Sequence, residues 1–255
     1  MNKSNKFSIR DKFKISLSKF LSVENKYKYN YIDVGSSLPL NNFISYFSNI
    51  FNLYLFEPNI NEYEKLINKF QNHKNINLSK KAIGTKKNLT INLYSNKNLS
   101  SVLNINNTYR HVHPKHKLLG KIKIDGIRLD DLLKNNNNSI LKIDAQGYSF
   151  ECLKSAKNIL NKIPVIIIEA EKVQMYKKQK LDFDIVKYLH NKNYVMLGEL
   201  TNYNKSLNKK NRRLNFYFKE FTYSKDLFFI KNFFEKKLSY DQTILTVICL
   251  TLFSY

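Results

Sequence analysis

Apolar positions along this chain follow two periods: short continuous runs of about five residues, and stretches that recur at helical spacing. The chain opens on a helical pattern, with Phe13, Leu17, Phe20 and Leu21 on one face. A strand is predicted near 30–35, then a helix near 40–50 after Pro39, with Asn41 or Asn42 as its cap. A second strand over 52–57 leads through Pro58 to a helix over 60–71, whose Tyr63, Leu66, Ile67 and Phe70 form one face. A third short strand precedes Ala82, Ile83 and Gly84.

The rhythm then changes. Residues 89–95 alternate apolar and polar positions, as a half-buried strand does, and 96–118 is a long polar stretch carrying three histidines. KIKIDG and IRLDDLL predict a strand and a short helix, and Asn135 to Asn138 form a polar loop. Strand and helix alternate again through ILKID (140–144), a helix over 148–160, PVIIIEA, a helix over 182–191 and YVMLGEL. Asn202 to Arg213 reads as a basic loop and 226–230 as a late strand. Near-continuous apolar strands alternating with helices predict an α/β fold, a mostly parallel doubly wound sheet in a single domain. Its bounds are placed at 27–235, after a basic helical extension (1–26) and before an apolar tail (236–255).

Four of the apolar runs end in a carboxylate: Asp33 in YIDVGSS, Glu57 in NLYLFEPN, Asp144 in ILKIDAQG and Glu169 in VIIIEAE. Ligands of an open parallel sheet bind beyond the carboxyl ends of its strands, so these acids predict one polar crevice. A glycine turn follows the first run, and the second acid comes about 20 residues later, the spacing that holds a ribose in dinucleotide-type folds. Yet DVGSSLP has only Gly35 where a pyrophosphate fingerprint uses three glycines, and no Gly-Lys-Ser/Thr follows. Dehydrogenases and kinases therefore fit poorly. A nucleoside cofactor without a pyrophosphate, S-adenosylmethionine, fits better: Asp33 and the Gly35 turn beside its amino-acid part and ribose, Glu57 accepting from both ribose hydroxyls. The plainer alternative is that Asp33 and Glu57 cap helices or face solvent.

Asp144 ends the fourth strand and is the candidate base for a hydroxyl acceptor, a weak nucleophile until its proton is removed. Gln146 would orient the acceptor and Glu169 would bind it at the next strand end. Asp144 has a competing structural role, hydrogen bonding to neighbouring backbone or to the helix start at Tyr148. His111, His113 and His116 flank a proline and lack further ligands, so no metal is expected; His113 stands as an alternative base.

The blocks YIDVGSS, LYLFEPNINEYEKL, LSKKAIG, NLSSVL, IRLDDLL, LKIDAQGYSFECLKSA and VIIIEAE, in register over roughly residues 30–232, resemble the FkbM family of S-adenosylmethionine-dependent methyltransferases. The resemblance implies a class I, Rossmann-like methyltransferase fold and methyl transfer to a hydroxyl oxygen of a sugar, glycan or small metabolite. It also implies cofactor contacts at Asp33, Gly35, Ser36, Ser37, Glu57 and Pro58, with Ala82 and Ile83 flanking the adenine. Two positions depart from the family pattern. Pro39 replaces the second glycine of the first turn, and Ser149 replaces the acid that follows the KIDxQG block, although Glu151 keeps the next one.

Composition adjusts this picture only slightly. The chain has 255 residues and a net charge of +23. Its lysines are spread along the whole length among Asn, Ile, Tyr and Phe, the residues of AT-rich codons, so compositional bias is favoured over a nucleic-acid footprint. An acidic glycan acceptor would also suit the charge. Two distant cysteines, Cys152 and Cys249, argue against a disulfide scaffold and suit a reducing, cytoplasmic compartment. The start lacks a signal-peptide core, and the final thirteen apolar residues are too few to span a bilayer, leaving core packing, a partner or peripheral membrane contact for the tail. Two further functions stay open at this level: a non-catalytic binding protein with an altered turn at Pro39, and an RNA-directed methyltransferase.

Overall fold

The computed structural model of the protein describes residues 15–19, 23, 28–40, 50–112, 114–132, 138–200, 224–234 and 237–253. Phe13, Phe20, Leu21, residues 41–49 of the expected second helix, His113 and the basic 202–213 loop lie outside the described residues.

The strands are β1 (Tyr29–Val34), β2 (Phe51–Phe56), β3 (Ile76–Ser79), β4 (Ala82–Ile83), β5 (Asn88–Tyr94), β6 (Leu118–Ile127), β7 (Ser139–Ile143), β8 (Val165–Glu171), β9 (Tyr194–Leu200) and β10 (Ser224–Lys231). Seven form one sheet in the order β3-β2-β1-β7-β8-β10-β9. The pairs β2–β3, β1–β2, β1–β7 and β7–β8 are parallel, whereas β10 runs antiparallel to both β8 and β9. The predicted mostly parallel α/β sheet is thus present. The chain order reverses between β1 and β7, the place where open α/β sheets form their ligand crevice. A small sheet, β4-β6-β5, stands beside the main one.

The strands are apolar on both sides because the sheet is covered on both sides. Successive residues alternate between two buried clusters. Ile32, Val34, Leu141, Ile143, Ile166 and Ile168 enter one cluster, and Tyr29, Tyr31, Ile140, Val165 and Ile167 enter the other. The helices are α1 (Ile60–Phe70), α2 (Asn107–Val112), α3 (Leu129–Leu132), α4 (Ser149–Lys154), α5 (Asp182–His190) and α6 (Tyr240–Phe253). Leu153 of α4 and Leu189 of α5 cover the first face; Leu245, Ile248 and Cys249 of α6 cover the second. The apolar C-terminal run thus packs on the core. Among the described residues no helix is long and apolar enough to cross a membrane.

Three local expectations need correcting. The helix expected over 148–160 stops at Lys154, because the Ser155 hydroxyl donates to the Cys152 carbonyl at 2.6 Å and competes with the helical ladder. The run ending at Glu169 continues to Glu171, since β10 pairs with β8 as far as Ser224↔Glu171. The polar stretch 96–118 is ordered by a 3-10 turn (Lys97–Leu99), α2 and two bridges, Asn92↔Ser101 and Ile105↔Tyr176. Its anchor is the Asn92 side-chain amide, which donates to the carbonyls of Ser101, Val102 and Leu103 at 3.1–3.3 Å.

Candidate functional site

Period-two alternation explains the row of acids. Asp33 shares the face of Tyr29 and Tyr31, and Glu169 and Glu171 share that of Val165 and Ile167; Glu57 and Asp144, just past their strands, continue the same parity. The ends of β1, β2 and β7 are fastened together there. Asp144 N–H donates to the Val34 carbonyl at 2.8 Å, and the Gly35 and Ser36 N–H groups both donate to the Phe56 carbonyl at 2.9 and 3.0 Å. Gly35 has φ +83, and a Cβ on it would stand 1.8 Å from the Asp144 carbonyl oxygen. Its glycine requirement therefore comes from the neighbouring strand as well as from any ligand.

Beyond these ends lies a cavity of about 430 Å³, within the size range of small-molecule sites. Gly35, Ser37, Glu57, Pro58, Ala82 and Ile83 line it, and so do Asp144, Gln146 and Glu169. Nine residues expected from the sequence thus meet in one space. Asp33 and Ser36 do not line it. Asp33 faces Lys142 across the β1–β7 register and forms a buried ion pair with it at 2.9 Å, and the Ser36 hydroxyl donates to the Asp33 carbonyl at 2.9 Å. They shape the turn from behind. Pro39 is exposed and off the cavity wall, so the changed turn does not block the space; the Leu38–Pro39 peptide is cis. Among the described residues no group of acids, cysteines and histidines could hold a metal ion. Ser149 is buried, and Glu151 accepts from Thr85 and Lys154 and does not line the cavity.

The electrostatics of the wall are those of crowded, partly dehydrated acids. Burial pushes the Glu57 carboxyl up to about 7, against the pull of the Asn59 N–H that donates to it at 2.7 Å. Burial, and then the neighbouring Asp144 carboxylate, hold Glu169 well above the usual carboxylate range. Burial likewise lifts Glu171 to about 7. Lys142 behaves oppositely: burial disfavours its charge, but Asp33 and then Asp144 (3.9 Å) outweigh burial and keep the ammonium protonated. Glu62 on the rim is also drawn down, because Lys65 and Lys97 at 2.7 and 2.8 Å outweigh its burial.

Gln146 organises the acid pair. Its carboxamide nitrogen donates to Asp144 at 2.8 Å and to Glu169 at 3.2 Å, and the Ser224 hydroxyl donates to the other Glu169 oxygen at 2.9 Å. This reach requires a left-handed backbone at Gln146, φ +46, a strained conformation for a residue with a Cβ. The Ser101 hydroxyl holds it there by donating to the Gln146 carbonyl at 2.6 Å.

Sequence reasoning missed Asn59, Glu62, Lys81, Lys97, Ser101, Tyr148 and Cys152 on the wall, and Lys142 behind it. Lys142 had a visible signal, a lysine inside an apolar strand, since a buried lysine needs a partner. Lys97 had none, and Ser101 had only its place in the NLSSVL block, because both reach the cavity only through the folded 96–118 excursion.

The Methyltransferase FkbM domain family matches residues 33–196, the span from Asp33 through β9's start. The protein is also similar to the solved structure of a Haemophilus influenzae protein assigned as a methylase, with 12% identity over 88% of this chain and 92% of that one and a TM-score of 0.36. No curated protein matches the chain. With the family match covering well over half of its length, and with the strand ends and cavity arranged as described, this chain belongs to the FkbM methyltransferase family.

Proposed function

We propose that the protein is an S-adenosylmethionine-dependent O-methyltransferase whose acceptor is a hydroxyl of a sugar, glycan or small metabolite. One observation carries this reading: a single cavity is lined both by Glu57, a largely buried carboxylate whose described hydrogen-bond donor is one backbone N–H, and by the hydrogen-bonded Asp144–Gln146–Glu169 cluster. A buried carboxylate with unused acceptor capacity is costly until a donor pair arrives. A ribose diol is such a pair, so the residues present fit the cofactor. Glu57 would hold the ribose, Gly35 and Ser37 would border the amino-acid part, and Ala82 and Ile83 would flank the adenine.

When bound, S-adenosylmethionine supplies an electrophilic methyl group. The chain's own contribution is position and proton removal. Asp144, with Lys142 behind it and the Gln146 amide on one oxygen, keeps an acceptor oxygen available for an incoming hydroxyl. Removing that proton as the methyl group arrives raises the nucleophilicity of the oxygen, and holding the two partners in line removes much of the entropic barrier. Gln146 fixes the angle of the acid pair, and Glu169 would take a second hydroxyl.

Calorimetric titration with S-adenosylhomocysteine tests the cofactor assignment. Saturable binding is expected, and a flat titration would end the proposal. For the base, Asp144→Asn is expected to lower methyl transfer roughly a hundredfold while cofactor affinity changes less than threefold. Incorporation of labelled methyl from S-adenosylmethionine into a mixed glycan extract measures the first quantity. Loss of both quantities together would place Asp144 in cofactor binding instead.

A further inference from the structure

The β5–β6 ribbon of the small sheet carries a row of charge that the proposed chemistry does not use. Its strands pair antiparallel from Asn88↔Asp125 to Tyr94↔Leu118, and alternation divides the ribbon into two faces. Leu89 and Ile124 pack on the core, and Ile91 lines the cavity. On the other face Asn88, Thr90, Lys121, Lys123 and Asp125 are exposed. Exposed lysines continue the row at both ends. Lys86 and Lys87 lead into β5, and Lys115 and Lys117 lead into β6, where the Ser95 N–H donates to the Lys117 carbonyl at 2.8 Å. Against these lysines the ribbon has a single acid, Asp125. Among the described residues none of the lysines in the row forms an ion pair. Acids of α1, α4 and α5, by contrast, hold neighbouring lysines: Glu62 pairs with Lys65, Glu151 with Lys154 and Asp184 with Lys180.

The same small sheet is part of the cavity wall. β4 pairs with β6 at Ala82↔Gly126 and supplies Ala82 and Ile83 to the wall, and β5 supplies Ile91. Lys81, directly before β4, lines the cavity too; it is exposed and forms no ion pair among the described residues. We propose that the β5–β6 ribbon is a docking surface for an acidic, carboxylate-bearing polysaccharide, from which a hydroxyl is offered to the cavity. This rests on the carbohydrate-acceptor reading above and names the class of carbohydrate.

One exposed lysine contributes little to binding, because water and salt screen it. A row meeting a row of carboxylates is different: the contacts add, and each releases counterions from the polyanion. Lys121 and Lys123 lie two residues apart, so they stand about 7 Å from each other on one face, within reach of successive charges on an extended chain. Thr90, paired with Lys123, and Asn88 offer neutral hydrogen-bonding groups for sugar hydroxyls among the ammonium groups. A single-stranded nucleic acid fits less well. Its bases need exposed rings to stack on, and Tyr94, the only aromatic residue of β5 and β6, is buried.

Fluorescence anisotropy of labelled polygalacturonate titrated with the full chain, without cofactor, tests this. Saturable binding is expected, with none to neutral dextran, and raising NaCl from about 0.05 to about 0.3 M should weaken it at least about tenfold. The Lys121→Thr, Lys123→Thr double variant keeps strand-favouring residues at exposed positions and should bind about five- to tenfold more weakly. If a thermal melt shows that variant unfolded, Lys86→Gln with Lys87→Gln, in the turn before β5, takes its place with the same expected loss. Lys187→Gln with Lys237→Gln removes equal charge from α5 and from the approach to α6, and should change affinity less than about twofold. An equal loss in this control assigns binding to overall charge and overturns the ribbon site. Tighter binding of poly(U) than of polygalacturonate overturns the class of partner. Absence of polygalacturonate binding, with S-adenosylhomocysteine still bound, overturns this inference and leaves the cofactor assignment standing. Failure of S-adenosylhomocysteine alone overturns the cofactor assignment, because polysaccharide binding is measured without it.

Discussion

Gly35→Ala is expected to abolish cooperative folding, or to reduce stability by about 4–5 kcal/mol or more. Two effects add. At φ +83 an alanine meets the left-handed strain that glycine avoids, worth about 1 kcal/mol. The larger effect is steric: the new methyl would sit 1.8 Å from the Asp144 carbonyl oxygen and 2.9 Å from its carbon. Those are backbone atoms just past β7, tied to β1 by the Asp144 N–H to Val34 carbonyl bond at 2.8 Å, so no rotamer change relieves the overlap. Urea denaturation followed by circular dichroism measures the loss. A decrease of only about 1 kcal/mol would mean that the strand ends separate freely. Any partial folding should still cost cofactor binding, because the Gly35 turn holds Phe56, and hence Glu57, on one side and Asp144 on the other.

The pairing that makes Gly35 so intolerant was only half visible in the sequence. DVGSS announces a turn after a strand, but a backbone approach from residue 144 cannot be seen in a local pattern. The same limit governs Asp33. Its position at a strand end suggested a ligand contact, whereas the β1–β7 register places Lys142 opposite it and turns it into half of a buried pair. Glu57 differs because no cation reaches it from β1 or β3, and it lines the cavity. What was legible is what depends on period: both faces of β1, β7 and β8, the Leu66 face of α1, and the shared parity of the acids. What was not legible depends on contacts between distant segments, as in the return of residues 97–102 to the cavity. The end of α4 belongs to a third kind, in which Ser155 competes locally against a helical pattern that by itself runs on.

Glu57→Gln is expected to make the ligand-free protein more stable at pH 8 and to make it nearly blind to the cofactor. Burial first, then the neighbouring Glu62, Asp144 and Asp33, lift the folded-state carboxyl from 4.5 to about 7, despite the Asn59 N–H. For an acid raised in this way the folded state holds its proton more tightly than the unfolded chain. The contribution is therefore intact below about 4.5 and is lost as pH rises through about 7, leaving a penalty on the order of 3 kcal/mol at pH 8. Glutamine carries no charge to dehydrate, and its side-chain oxygen can still accept the Asn59 N–H. Thermal melts should show the variant above wild type by about 6–12 °C at pH 8, with the gap closing near pH 4.5. A gap of equal size at both pH values would assign the gain to packing and not to charge. Saturating S-adenosylmethionine should reverse the order, because the wild-type carboxylate gains two donors that repay its dehydration, whereas the amide makes a weaker pair and gains little from mass action. A residue that destabilises the empty fold and stabilises the filled one is the mark of a binding group, and a structural cap would show no such crossing.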